Sequence, residues 1–203
     1  MRSILLLASV SSVELLTAGQ PIRVAVCNTG GVSEAELSSA KAETEAIYRN
    51  VGVAIVWGGC DSFRGAWFPA PAPTFLIRLQ NEQPAPRVGP ASLDVMGQAF
   101  VEACDGGNTA EAYLPAIRAS AELYHADQGV LLGFVLAHEL GHLLLGPGHT
   151  PDGLMQAVWG RKQMDALRQR QLGFTKDCAE RIRLKLKLRR SPGQRDRAIA
   201  GSQ

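Results

Sequence analysis

Two hydrophobic periods alternate along this chain, and the changes between them divide it into elements. Ile22 to Cys27 (IRVAVC) is rich in branched residues and bounded by Pro21 and Asn28-Thr29-Gly30-Gly31, which predicts a short strand. Ser33 and Glu36 then form the S-x-x-E pattern of a capping box. They open a helix to about Asn50, with Leu37, Ala40, Ile47 and Tyr48 near helical spacing. Gly52 ends it, and Val53 to Trp57 (VAIVW) predicts a second strand before Gly58-Gly59. Strand, helix and strand in this order predict a parallel crossover unit.

Asp61 to Pro73 and Asn81 to Pro90 are rich in proline and read as loops. Between them Thr74 to Gln80 (TFLIRLQ) predicts a third strand, with Arg78 marking a face partly open to solvent. Leu93 to Val101 predicts a fourth strand containing Gly97, where an ordinary sheet strand with a bulge is one of two open readings. Cys104 to Asn108 predicts a turn, Ala112 to Ile117 a fifth strand containing Pro115, and Ala119 to His125 a short helix. Val130 to Leu145 is the most apolar stretch beyond the N-terminus. It carries His138, Glu139 and His142, so it reads as a buried helix and not as a transmembrane segment. Gln163 to Gln171 predicts a helix with Met164 and Leu167 inward, and Thr175 caps a final helix from Lys176 to about Leu188. In that last segment Ile182, Leu184, Leu186 and Leu188 alternate with Arg and Lys, a period of two that fits a strand better. The pattern alone leaves both readings open.

At 203 residues the chain is one domain, or one domain with tails, and is able to bury a sizeable core. An apolar fraction of 46% with 20% charged residues excludes a disordered chain. Net charge is only +2, so the whole chain carries no nucleic-acid signal. The positive charge gathers at Arg181 to Arg197, and the tail 189–203 reads as a solvated, disordered end; anchoring to an anionic surface is the alternative. Met1-Arg2, the apolar run Ile4 to Val10 and the small residues up to Gly19 resemble a secretory signal over 1–19. That implies a secreted or periplasmic protein with its domain at 20–188. Glu14 and Gly19 speak for the alternative, an N-terminal element of a cytoplasmic fold. No long inhibitory pro-segment is visible between this run and the first strand. Cys27, Cys60, Cys104 and Cys178 form no C-x-x-C pair, which argues against a cysteine zinc site. In an exported protein they fit two disulfides, with Cys27–Cys60 favoured because both end predicted parallel strands; free buried thiols stay open.

The chemistry lies in His138-Glu139-Leu140-Gly141-His142, an HExxH motif. On a helix, positions i and i+4 share a face, so two imidazoles can grip one metal ion, usually Zn²⁺. Glu139, one position on, falls beside the metal without displacing a ligand. The motif alone recurs by chance in roughly 2–3 per cent of chains this long, so its surroundings decide. Gly146-Pro147-Gly148 is helix-stop chemistry, and a chain reversing there can return His149 as a third ligand. Asp152 and Asp165 are carboxylate alternatives for that place. His125, alone outside the motif, reads as a surface or packed residue. Gly141, with no side chain, reads as letting this helix lie close to its neighbour.

The stretch 138–155, HELGHLLLGPGHTPDGLM, resembles the metzincin zinc peptidases, with their HExxHxxGxxH pattern and later Met-turn. It is most similar to their matrixin-like branch, where a His-Thr or His-Ser pair leads shortly to Leu-Met. The turn glycine and third histidine come one residue late, and no Tyr after His149 matches the extra ligand of astacin-like members. The resemblance implies a zincin fold, α+β or α/β in class: a twisted mixed sheet of about five strands, an active-site helix and a C-terminal helix. It implies a zinc endopeptidase acting on peptide or protein substrates. His138, His142 and His149 would hold Zn²⁺, Glu139 would be the general base, and Met155 an apolar floor beneath the metal. The edge strand near Gly97 would pair with the substrate backbone. A zinc-containing binding domain, or a peptidase whose activity has lapsed, is the alternative.

Overall fold

The Ser33 hydroxyl accepts from the Glu36 amide at 3.3 Å while the Glu36 carboxylate accepts from the Ser33 amide at 3.1 Å, closing the expected capping box. It opens α1 (Glu34–Arg49), whose Leu37, Ala40, Ile47 and Tyr48 are all buried. The protein is described by a computed structural model covering residues 21–63, 72–82, 95–102 and 106–189. The secretory reading of 1–19, the tail beyond Arg189, Leu93 and Cys104 lie outside the described residues.

Five strands form one mixed sheet: β1 (Ile22–Asn28), β2 (Ile55–Gly59), β3 (Thr74–Gln80), β4 (Gly97–Glu102) and β5 (Gly106–Tyr113). Their order is β2-β1-β3-β5-β4. All neighbours run parallel except β4, which lies antiparallel to β5 at the edge. The helices that follow are α2 (Leu114–Tyr124), α3 (Gln128–Leu145), α4 (Arg161–Arg168) and α5 (Lys176–Arg189). This is the α+β architecture expected of a zincin-like domain, with α3 at its centre and α5 at its end.

Several boundaries differ from the sequence reading. β2 starts two residues late because the Val53 amide donates to the Tyr48 carbonyl at 3.0 Å and still belongs to the helix exit. The expected strand Ala112–Ile117 is instead the end of β5 and the first turn of α2, where Pro115 is well placed because early helical amides need no partner. Correspondingly, the turn assigned to Cys104–Asn108 is partly strand, since β5 already begins at Gly106. The helix expected over Ala119–His125 begins earlier, at Leu114, and His125 is its left-handed cap at φ 52°. β4 shows no bulge at Gly97; its register is regular from Gly97↔Ala112 to Phe100↔Thr109 and shifts only between Phe100 and Glu102. The period-two segment is helix α5, in which Ile182 and Leu186 are buried while Leu184 and Leu188 face outward.

α3 carries Leu131, Leu132, Phe134, Leu136, Leu140, Leu143 and Leu144 into the core. Among the described residues it is the one helix long and apolar enough to cross a membrane, and 83% of that window is buried inside the protein. Its closest neighbour is α1, and two glycines let them meet: a Cβ on Gly133 would lie 2.6 Å from the Ala40 carbonyl oxygen, and one on Gly129 3.0 Å from that of Glu36. Gly141 lets the helix lie close to a different neighbour, the Met155 sulfur, which would be 2.5 Å from a Cβ there. Buried hydroxyls lock the pair: Thr44 donates to the Gly133 carbonyl at 2.9 Å and Tyr48 to the Ala137 carbonyl at 3.1 Å. Cys27, at the end of β1, is bonded to Cys60, just beyond β2, as the parallel pairing suggested. Cys178 is a free, buried thiol, so it forms no second bridge. Arg78 faces Glu111 across β3 and β5 at 3.8 Å, on the half-open face expected for it.

Candidate metal centre

The helical spacing of His138 and His142 puts their Nε2 atoms 3.0 Å apart. α3 then stops at Gly146 (φ 96°), and Gly148 follows at φ 103°, both in a region that strains any residue with a side chain. This double reversal returns His149, whose Nε2 lies 3.3 Å from that of His142. Among the described residues, these three histidines form the group of His, Cys, Asp and Glu side chains able to hold a metal ion. Asp152 is exposed in the following loop and Asp165 pairs with Arg168, so neither carboxylate joins the cluster. His125 is exposed at the end of α2, as a residue outside the motif should be.

The hydrogen bonds decide which nitrogens face inward. His138 Nδ1 lies 2.8 Å from the Leu154 carbonyl oxygen and His142 Nδ1 3.3 Å from that of Gly146. A carbonyl only accepts, so both Nδ1 atoms carry hydrogen and both Nε2 atoms present lone pairs. Lone pairs this close repel unless a cation lies among them. A tetrahedral Zn²⁺ with nitrogen ligands at about 2.0–2.1 Å requires nitrogen separations of roughly 3.3–3.4 Å. The separations of 3.0 and 3.3 Å lie near that value, all three ligand atoms fall within 4.8 Å of one another, and the donor set, three imidazoles, suits zinc.

Burial sets the protonation. It drives His138 down to about 4, and the neighbouring His142 and His149 lower it further against the Leu154 hydrogen bond, which raises it. The buried His142 is also lowered, chiefly by desolvation, and so is His149, which is exposed on one side and only partly desolvated. All three are therefore neutral, as metal ligands must be, at neutral pH. Glu139 is 5% exposed, and burial pushes its carboxyl up to about 8; the Ala99 amide, donating to it, acts the other way.

The loop after His149 braces the cluster. The Thr150 amide donates to the Met155 carbonyl at 2.9 Å and the Leu154 amide to the Gly173 carbonyl at 2.7 Å. Met155 is buried against α3 at Gly141, consistent with an apolar floor. Trp159 had no signal in the sequence, yet it stands edge-on to His138, 5.6 Å between ring centres. Its indole N–H donates at 3.2 Å to the same Leu154 carbonyl that receives His138. The contact between Glu139 and β4 was equally illegible, since it joins segments far apart in the chain.

No family model matches the chain, and no curated protein does. Among solved structures it is similar to the crystal structure of archaemetzincin from Methanopyrus kandleri, with a TM-score of 0.56 and 20% identity. The match covers 85% of this chain and 99% of that one, and it is a likeness of fold.

Proposed function

We propose that this protein is a zinc-dependent endopeptidase of metzincin type. The observation that carries the reading is the convergence of three imidazoles whose ligand atoms lie within 4.8 Å of one another, two of them with their outer nitrogens tied to backbone carbonyls. The likeness in fold to an archaemetzincin supports it. His138, His142 and His149 would hold the ion, which leaves a fourth position for water or substrate. Bound zinc would supply Lewis acidity toward a peptide carbonyl and toward water. A cation held by the three histidines would favour the ionised form of Glu139, and as general base that carboxylate takes a proton from the attacking water and returns it to the leaving amine nitrogen. The edge position of β4 supports a role in receiving an extended peptide by main-chain hydrogen bonds. The Cys27–Cys60 bridge supports an oxidising destination, secreted or periplasmic.

The test is an unbiased peptide-cleavage profile of zinc-loaded protein, with and without chelator. Chelator-sensitive cleavage is expected, and Glu139→Gln should retain one zinc per chain while losing at least about 10²-fold in kcat. A Glu139→Gln variant as fast as the parent would sink the mechanism. Zinc bound at one equivalent with no peptide cleaved would favour a binding domain or a lapsed peptidase.

A further inference from the structure

We propose that Gly97 is a positioning residue for Glu139: its missing side chain is the space in which the base is seated. This assignment rests on the peptidase reading for its catalytic meaning, but its geometry stands independently. A Cβ built on Gly97 would lie 2.6 Å from Glu139 Oε1, 2.8 Å from its Cγ and 2.9 Å from its Cδ. Its three nearest neighbours thus all belong to one side chain. Two residues along the strand, the Ala99 amide donates a hydrogen bond to the same carboxylate. β4 therefore offers Glu139 a gap and a donor in succession.

Nothing else about position 97 calls for glycine. Its φ lies outside the left-handed region, and its pairing with Ala112 is regular. Glycine is a poor strand residue, so its place on an edge strand needs a local cause. The cause is steric: with Glu139 almost wholly buried, a methyl group on β4 evicts the carboxylate from its seat. The strand that an incoming peptide would extend also registers the base, so both are referred to one piece of backbone.

The test is Gly97→Ala. With zinc content and chelator-competition affinity unchanged, kcat should fall on the order of 10²-fold, as for a displaced catalytic group, with KM within about twofold. A second readout needs no activity: thermal midpoints of the metal-free parent, Gly97→Ala, Glu139→Ala and the double variant. Coupling through contact predicts that Gly97→Ala lowers the midpoint by several degrees in the parent, and by less than half as much where Glu139 has been removed. A Gly97→Ala variant that folds only in the Glu139→Ala background supports the same coupling. Equal losses in both backgrounds, no loss in either, or failure of both to fold overturns it. A parent that cleaves no peptide overturns the peptidase reading, while the midpoints still decide the contact.

Discussion

Glu139 and His138 are neighbours in sequence whose ionisations burial drives in opposite directions. The Glu139 carboxyl sits at about 8 against an ordinary 4.5, so the folded metal-free protein favours its protonated form. That contribution is fully present below about pH 4.5 and is lost as pH rises through about 8. His138, at about 4 against 6.5, contributes stability present above about pH 6.5 and lost as pH falls through about 4. Between these limits the two slopes offset each other; above pH 6.5 Glu139 acts alone. Metal-free Glu139→Gln should therefore be more stable than the metal-free parent by roughly 3–5 kcal/mol at pH 8.5, and nearly equal to it at pH 4.5. Denaturant unfolding at both values measures this; equal gains would show that charge is not the cause. At this scale the motif residues were readable because their chemistry is local. The perturbing surroundings, Ala99 and Leu154, were not, because they arrive from other parts of the chain.

Among the elements, α5 shows how a hydrophobic pattern can fit two structures. Alternation of Ile182, Leu184, Leu186 and Leu188 has strand period, but in a helix the pairs 182/186 and 184/188 fall on different faces. The core accepts only the first pair, at 0% and 2% exposure, and leaves the second at 57% and 64%. Ile182→Ala should accordingly cost about 2–4 kcal/mol in urea unfolding, against at most about 0.5 kcal/mol for Leu184→Ala. Comparable costs would contradict the helical placement. β1 and α1 were legible because caps, glycines and periodicity agreed there. The β5–α2 junction was misread because Pro115 signals both a poor strand and a good helix start, and only the sheet register separates them.

In the whole molecule, the parallel pair β1–β2 is crosslinked at one end by Cys27–Cys60, across a sequence separation of 33 residues. Closing a loop of that length restricts the unfolded chain by roughly 3–4 kcal/mol on the chain-entropy account. Cys27→Ala with Cys60→Ala should lose about that much by equilibrium unfolding, with zinc affinity little changed because neither cysteine belongs to the histidine cluster. A large loss of zinc affinity would mean that the crossover unit and the metal centre are mechanically coupled. The five-strand order was not legible: the parallel unit was, but the placement of β3 between β1 and β5 rests on pairings between distant segments.

The sequence by itself determined the two histidines on one helical face, the cap that opens α1 and the glycines that stop α3. These follow from backbone geometry and sterics within a few residues, which any tertiary setting preserves. Only the tertiary structure decided that His149, though exposed, comes within reach of His142, that Met155 lies under Gly141, and that Glu139 lodges against β4. Those outcomes depend on which distant surfaces share the core, and burial there sets the charge of Glu139 and His138, while His149 keeps an exposed side.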